Sequence, residues 1–380
     1  YTLDLDVHGP LVVAADAARR VVSLQPGGKT SLAIPVKAGG LGTARLDLRM
    51  TGPEVDVTQS FNLTVLPGTP EIFHRSVRTL EARQSVTLTS DLLAEFLPGT
   101  GMVSVAATTF GGIDVPALLA ALDRYPYGCT EQTVSRALPL LYLSKLSRAG
   151  ADTLVVPGDL NATIQGAIDK VLTRQSSSGG FGLWSADGTE DMWLDAFVAD
   201  FLTRAREMKF SVPQKAFDIT LDKMRNHVAN TSEVKDGGGD LAYAAYVLAR
   251  NGRPVMNDLK YLADTKLDDF TTPLAQAQLA AALALLGDRG RAGTVFSSAA
   301  DQLQSAKVAM ISRADYGSKL RDGAGLLALA AEANVGREVI QKAATIVSDA
   351  RGATRFTSTQ ENAWMVLAAQ ALVSEAQGVS

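Results

Sequence analysis

The hydrophobic pattern of this chain changes its period once. From Tyr1 to about residue 108 apolar and polar residues alternate, and after Gly111-Gly112 the apolar residues recur at spacings of three and four. Alternation marks a half-buried strand and the three-four spacing marks an amphipathic helix, so one class of secondary structure cannot serve the whole chain. The first part reads as strands at YTLDLDV, SLAIPVKAG, ARLDLRM, FNLTVLPG, VRTLEARQSVTLT and MVSVAATTF, broken by PGG, AGG, TGP and PGTP. This is β-sandwich material, with an internal boundary at LPGTP, residues 66–70. The second part reads as eleven or twelve helices of similar length on short loops, weakly repeated as helical hairpins. Pro213, Pro254 and Pro273 stand near helix starts or breaks, and Gly252, Gly287 and Gly336 near helix ends. Such helices close most simply into an α/α toroid with an inner and an outer ring, although an open solenoid satisfies the same periodicity.

A chain of 380 residues exceeds the usual size of one core, so two or more domains are expected. With 46% hydrophobic and 20% charged residues it has the balance of ordinary globular protein. Lys+Arg 36 against Asp+Glu 40 leaves a net charge of -4, which offers no electrostatic footprint for nucleic acid or an anionic membrane. No apolar run approaches a membrane span and no signal-peptide pattern opens the chain. Strand rhythm from the first residue, without an initiator Met, reads as a piece of a larger protein, whose remaining parts would carry any targeting sequence or anchor. A single cysteine excludes an internal disulfide framework and a multi-cysteine zinc site. His8, His74 and His227 lie far apart in sequence, so neither a metal nor another cofactor is expected.

That single cysteine, Cys129, sits in YPYGCTEQ, a turn-rich stretch between two helical patterns. A lone cysteine is ordinarily a small buried hydrophobe. Here Gly128 permits conformations closed to other residues and Pro126 stiffens the approach. In C-T-E-Q the two intervening residues let the chain fold back until the sulfur meets the side-chain carbonyl carbon of Gln132. Attack there with loss of ammonia would leave an internal thioester, an acyl donor far more reactive than an amide because thiolate is the better leaving group. Such a bond must be kept from water, and Tyr125 and Tyr127 are the local candidates for shielding it, ordinary aromatic packing being their other reading.

The stretch PYGCTEQ resembles the PYGCxEQ signature of the α2-macroglobulin and complement thioester proteins. Gly179-Gly180-Phe181-Gly182 with Trp184 resembles the glycine-aromatic loop of their thioester domain, and Met192 to Val198 resembles the family's TWLTAFV helix. Leu241 to Leu248 resembles a later helix of that domain, and Ser358-Thr359-Gln360-Glu361-Asn362-Ala363 its STQ helix start. The landmarks come in the family's order and span residues 125 to 363. The resemblance implies a multidomain chain: 1–66 as the C-terminal part of a macroglobulin-like β-sandwich, 67–110 as the first part of a CUB-like β domain, and 111–380 as an all-α α/α toroid thioester domain.

By the same resemblance the chain is not an enzyme but part of a covalent endopeptidase inhibitor. A protease cuts a bait region, the molecule changes shape, and a lysine of the protease attacks the Gln132 carbonyl, leaving Cys129 as a free thiol. Glu131 matches the motif's glutamate, with a role in orienting the turn or in local hydrogen bonding. Thr130, where animal members commonly have Gly or Leu, and the lack of disulfide cysteines point to a bacterial member. Such members imply a periplasmic location, often with an inner-membrane lipoprotein anchor, here outside the sequence in hand, and a monomer. Complement-type members steer attack through a downstream histidine. His227 lies in the helical pattern DITLDKMRNHVA, ahead of the segment where that histidine would fall, and reads as a solvated or capping residue, so direct attack by amines is expected. Two other classes stay open at this point: an α/α toroid enzyme of the cyclase or prenyl transferase type, for which the acids Glu190-Asp191 and Asp268-Asp269 are a thin endowment, and a thioester-bearing adhesin or a structural domain with Cys129 reduced.

Overall fold

The computed structural model describes residues 1–70, 83–103, 113–123, 127–143, 159–253, 255–305, 315–354 and 356–378, and between them residues 72, 74, 76, 80, 105, 125 and 313. Pro126, Pro254, the period switch at Gly111-Gly112 and most of the strand expected at MVSVAATTF lie outside the described residues. The chain divides into two compact units, Tyr1–Gly101 and Met102–Ser380.

The first unit is built on a four-stranded antiparallel sheet of order β3-β1-β5-β6, with β1 Thr2–His8, β3 Arg19–Val21, β5 Gly42–Gly52 and β6 Val55–Val65. Strands β2 Leu11–Val13 and β4 Val36–Ala38 pair separately, and a single turn of helix, α1 Ala15–Ala18, precedes β3. The register turns the alternation into one apolar face: Leu3, Leu5 and Val7 lie opposite Met50, Leu48 and Leu46. Met50 and Leu46 in turn lie opposite Val57 and Phe61. The strand expected at VRTLEARQSVTLT is corrected. Among its described residues none belongs to a ladder, and Val86 and Leu88 are exposed. Alternation supplies a face for a strand but not the partner whose N–H and C=O groups make it one.

The second unit holds twelve α-helices among the described residues: α2 Val115–Asp123, α3 Thr130–Leu140, α4 Leu160–Leu172, α5 Met192–Glu207, α6 Gln214–Asn230, α7 Gly239–Arg250, α8 Met256–Thr265, α9 Pro273–Leu285, α10 Arg289–Ser305, α11 Lys319–Glu332, α12 Arg337–Ala353 and α13 Thr359–Gly378. The odd-numbered helices from α3 to α13 each pack on the next, and α13 packs back on α3, which closes the ring. The solenoid alternative is thereby excluded. Two kinds of sequence make the two layers. In α7, α9, α11 and the stretch of α13 up to Val373 almost every side chain is buried, as in Leu241–Ala249 and Leu320–Ala331, because each is covered by inner neighbours on both sides and an outer helix behind. The outer helices bury one stripe, as in α6, where Phe217, Leu221, Met224 and Val228 face inward. Alanines 275, 277 and 280–282 of α9 let neighbouring inner helices approach closely.

The punctuation behaves largely as expected. Pro273 begins α9, Pro213 caps α6, and Gly252 and Gly287 follow helices with left-handed φ of 66° and 92°. Gly336 is the exception. It is the N-cap of α12, and Asn334, at φ 51°, supplies the left-handed residue after α11. Asn tolerates that region because its short amide bonds locally.

The inner helices point one way. The starts of α5, α7, α9 and α11 line a common cleft of about 590 Å³, among them Asp191, Trp193, Asp240, Pro273 and Ser318. The C-terminal ends of α5, α7 and α11 share an ionic cluster centred on a buried arginine. Arg204, 1% exposed, bonds Asp200 at 2.8 Å, Glu332 at 2.7 Å and the hydroxyls of Tyr142 and Tyr246 at 3.0 Å each. Arg250 joins Glu332 at 3.0 Å, and Tyr243 donates to Asp200 at 2.9 Å. Acids at N-termini and arginines at C-termini both suit the helix dipole.

Candidate functional site

Cys129 and Gln132 meet at the first turn of α3, and the reason is a helix cap. Cys129 is the N-cap, with extended backbone at φ −64° and ψ 174°. Gln132 is three residues on, and the pair forms a reciprocal capping box. The cysteine side chain takes the backbone N–H of Gln132, while Gln132 Oε1 accepts the Cys129 N–H at 3.1 Å. The usual box is Ser or Thr followed three residues later by Glu or Gln. α13 opens with such a box: Ser358 donates its N–H to Glu361 at 2.7 Å, and its hydroxyl accepts the Glu361 N–H at 3.2 Å. C-T-E-Q is the same device with a thiol in place of the hydroxyl and a carboxamide in place of the carboxylate. A geometry that every helix start can adopt thus brings a nucleophile beside an acyl group.

The surroundings fix both flanks of the cysteine. Arg174, just past α4, donates to the Gly128 carbonyl at 2.8 Å and to Thr130 Oγ1 at 3.2 Å. Thr130 donates its hydroxyl to the Gly182 carbonyl at 2.7 Å and its N–H to the Leu183 carbonyl at 2.8 Å. The glycine loop therefore cradles the start of α3. That loop is held in turn by Asp195, which is fully buried, accepts the Phe181 N–H at 2.6 Å and pairs with Lys223 at 2.8 Å. Gly179 lies at φ 90°, where an added Cβ would also meet the Ile219 carbonyl at 2.8 Å, so this turn needs glycine. Gly128 is different. It is not left-handed, and a Cβ there would meet only the mobile tip of Lys170, at 2.8 Å.

Glu131 closes the toroid. It is buried, and its carboxylate accepts bonds from Ser135 at 2.6 Å, Thr359 at 2.9 Å and Gln360 at 2.8 Å. The Ser135 bond is the local one that the resemblance allowed; those from Thr359 and Gln360 run from the first inner helix to the last, across more than 200 residues of sequence. Replacing Glu131 by Ala leaves those donors without an acceptor and is expected to cost about 1–3 kcal/mol of toroid stability. Urea unfolding followed by circular dichroism measures it, and an unchanged midpoint contradicts the assignment.

Cys129 is 4% exposed. Burial pushes its thiol up; the N–H groups of Gln132 and Glu131 and the charge of Arg174 pull it down, and the Glu131 carboxylate adds to the rise. A buried thiol with a raised pKa is a poor free nucleophile, and the N–H groups aimed at the sulfur offset only part of the cost of negative charge there as it leaves. The arrangement can store an acyl group and release it once.

Tyr125 and Tyr127 form an edge-to-face pair with centroids 5.8 Å apart, 39% and 61% exposed. Trp193 is buried and stacks on Phe197 at 5.4 Å, whereas Trp184 is exposed. His227 bonds Asp240 at 3.0 Å, joining the end of α6 to the first turn of α7, as a capping residue does. Burial raises the Asp240 carboxyl, but the His227 bond and the adjacent N–H groups outweigh it and hold the group below its ordinary value. Sequence reasoning missed Arg174, Thr130 as a donor, Asp195 and Tyr316. Their contacts join segments distant in sequence, for which no local spacing carries a signal.

A model of the A-macroglobulin TED domain matches residues 103–232. The α2-macroglobulin of Escherichia coli K12 is 28% identical over 97% of this chain and 23% of its own length. Two further curated relatives, both from Xylella fastidiosa, are matched over 20% of their length, so the chain spans about a fifth to a quarter of these relatives. Among solved structures, native E. coli α2-macroglobulin from domain MG7 to the C-terminus superposes with a TM-score of 0.73 at 26% identity, covering 98% of this chain and 61% of that one. Salmonella α2-macroglobulin reacted with methylamine gives 0.71 at 27%, covering 97% and 25%. Trypsin-activated E. coli α2-macroglobulin gives 0.58 at 26%, covering 98% and 26%.

Proposed function

The chain belongs to the α2-macroglobulin family, and on that premise we propose that it carries the covalent trap of a bacterial protease inhibitor, with Cys129 and Gln132 as its thioester. The reading rests on one observation above the others: the buried Cys129 and the Gln132 side chain are held together by a reciprocal cap.

The chemistry balances without a cofactor. In loading, Cys129 Sγ adds to Gln132 Cδ, the C–N bond breaks, and the amide nitrogen leaves as ammonia with the thiol proton. In trapping, a neutral lysine amine adds to Cδ, the C–S bond breaks, and the proton shed by the new amide ends on Sγ. Protease and Gln132 are then joined by an amide bond, and Cys129 is a thiol again. Burial favours the thiol over the thiolate in the product, which disfavours the reverse attack. No turnover follows, so the protein inhibits and does not catalyse.

The remaining assignments are part of the same proposal. Residues 1–66 are the C-terminal part of a macroglobulin-like sandwich, for which the apolar face of the four-stranded sheet, with Val57, Phe61 and Leu63 exposed, is the supporting observation. Residues 67–110 begin a CUB-like domain. The full-length protein works as a monomer in the periplasm, anchored as a lipoprotein, and cleavage of its bait region exposes the thioester. Tyr125 and Tyr127 shield it.

Incubating the full-length protein with trypsin tests the function. A conjugate that survives boiling in detergent is expected, linked through Gln132, with one thiol released per conjugate. Prior treatment with methylamine is expected to abolish it. Conjugates that persist after methylamine, or that map elsewhere, overturn the reading.

A further inference from the structure

Tyr316 occupies a place that its sequence does not announce. It lies in the loop before α11 at φ 55°, a left-handed backbone that a bulky residue rarely adopts and that marks a conformation imposed by its surroundings. The imposing groups are charged. Asp315 pairs with Arg313 through Nε at 2.9 Å and with Arg321 at 2.6 Å. It also accepts the Gly317 N–H at 3.1 Å, and the Tyr316 N–H bonds the Arg313 carbonyl at 3.1 Å. On the far side of the loop, Ser318 donates to Glu361 at 2.5 Å. Glu361 is in the capping box of α13, whose Thr359 and Gln360 bond Glu131, two residues from Cys129.

The ring so aimed is 45% exposed and lies against Trp193, with centroids 5.3 Å apart, and Trp193 stacks on Phe197 beneath it. The electrostatics agree with this position. Burial, then the fields of Glu131, Cys129 and Asp191, push the Tyr316 phenol up.

On the reading of Cys129 and Gln132 as a thioester, we propose that Tyr316 is a positioning residue of the trap: its ring, tilted against Trp193 and held by the Asp315 cage, walls the acyl carbon from water. Tyr125 and Tyr127 come from the segment leading into α3; Tyr316 comes from the loop before α11, which α13 alone separates from α3 round the ring. The wall is aromatic surface and not a hydrogen-bonding hydroxyl. The cage sets it and so governs how long the stored bond lasts before activation.

The experiment uses the full-length protein in five forms: wild type, Tyr316→Ala, Tyr316→Phe, Asp315→Asn and, for comparison, Tyr125→Gly. Intact mass first records whether each has lost one ammonia, which tests the thioester itself. Loss of the thioester rate then follows as methylamine incorporation and as hydrolysis in buffer. Tyr316→Ala is expected to speed both by about tenfold, which corresponds to roughly 1.4 kcal/mol of lost protection. Tyr316→Phe is expected to stay within about twofold of wild type, and Asp315→Asn to fall between. Rescue by Phe separates the ring from its hydroxyl, a distinction that mere damage to the fold does not make. An unloaded wild type removes the functional reading on which the proposal stands. A loaded protein whose rates do not respond to Tyr316→Ala, or respond equally to Tyr316→Phe, overturns the role of Tyr316 while leaving the thioester standing.

Discussion

Full-length protein carrying Cys129→Ala or Gln132→Ala is expected to take up no methylamine and to form no protease conjugate, a fall to background from the orders-of-magnitude greater reactivity that the proposed thioester has over an amide. The loss is chemical and not a failure to fold, and a third variant shows the difference. Each alanine also removes one bond of the cap at the start of α3, at a cost of about 1 kcal/mol. Cys129→Ser rebuilds the box with the hydroxyl that helix starts ordinarily use, so its thermal midpoint is expected to match wild type while its incorporation stays at background. Quantitative methylamine labelling beside a melting curve measures both. Adducts that persist in Cys129→Ala or Gln132→Ala contradict the assignment.

Arg204→Ala is the largest expected loss of stability. The guanidinium is buried with Asp200 and beside Glu332, and its removal leaves the Asp200 carboxylate in the interior without its counter-charge. Breaking such a pair from one side costs about 3–5 kcal/mol, although a well-packed apolar replacement of the whole cluster need not. For a toroid of this size that is a fall of roughly 10 °C in its melting transition. The cluster also predicts an acid limb. Burial alone would raise the Glu332 carboxyl, but Arg204 and Arg250 prevail and hold it at about 2, below the ordinary 4.5. Between those values the unfolded carboxyl binds a proton that the folded one does not, so stability rises with pH through this window and is lost as pH falls through it. Above pH 4.5 the contribution is present in full, weakened by the solvent that reaches Glu332. Glu332→Gln is expected to be less stable at neutral pH and to lose less between pH 4.5 and 2. A wild-type stability flat across that range removes the ionic reading of the cluster.

What the sequence discloses about this molecule depends on whether a contact is local. The switch of period separates sheet from helices because burial on one face leaves its mark every second or every third and fourth residue. The pairing of Cys129 with Gln132 is equally local, three residues apart at a helix start. Closure of the ring is not. It rests on Glu131 meeting Thr359 and Gln360, and no pattern in either segment names the other as its partner. The same holds for Arg174, whose bonds to Gly128 and Thr130 cross more than 40 residues, and for Tyr316, whose position is set by a charge cage and not by an apolar repeat. The expected strand around Val86 shows the converse. Alternation was present there, but a ladder needs a second strand, and the described residues hold none for it.

The most direct test is the intact mass of the purified full-length protein, before and after methylamine, with a thiol titration alongside. The account predicts a mass one ammonia below that of the sequence, no titratable Cys129, and after methylamine one adduct at Gln132 with one thiol released. A mass equal to that of the sequence, with Cys129 free and methylamine without effect, would contradict it.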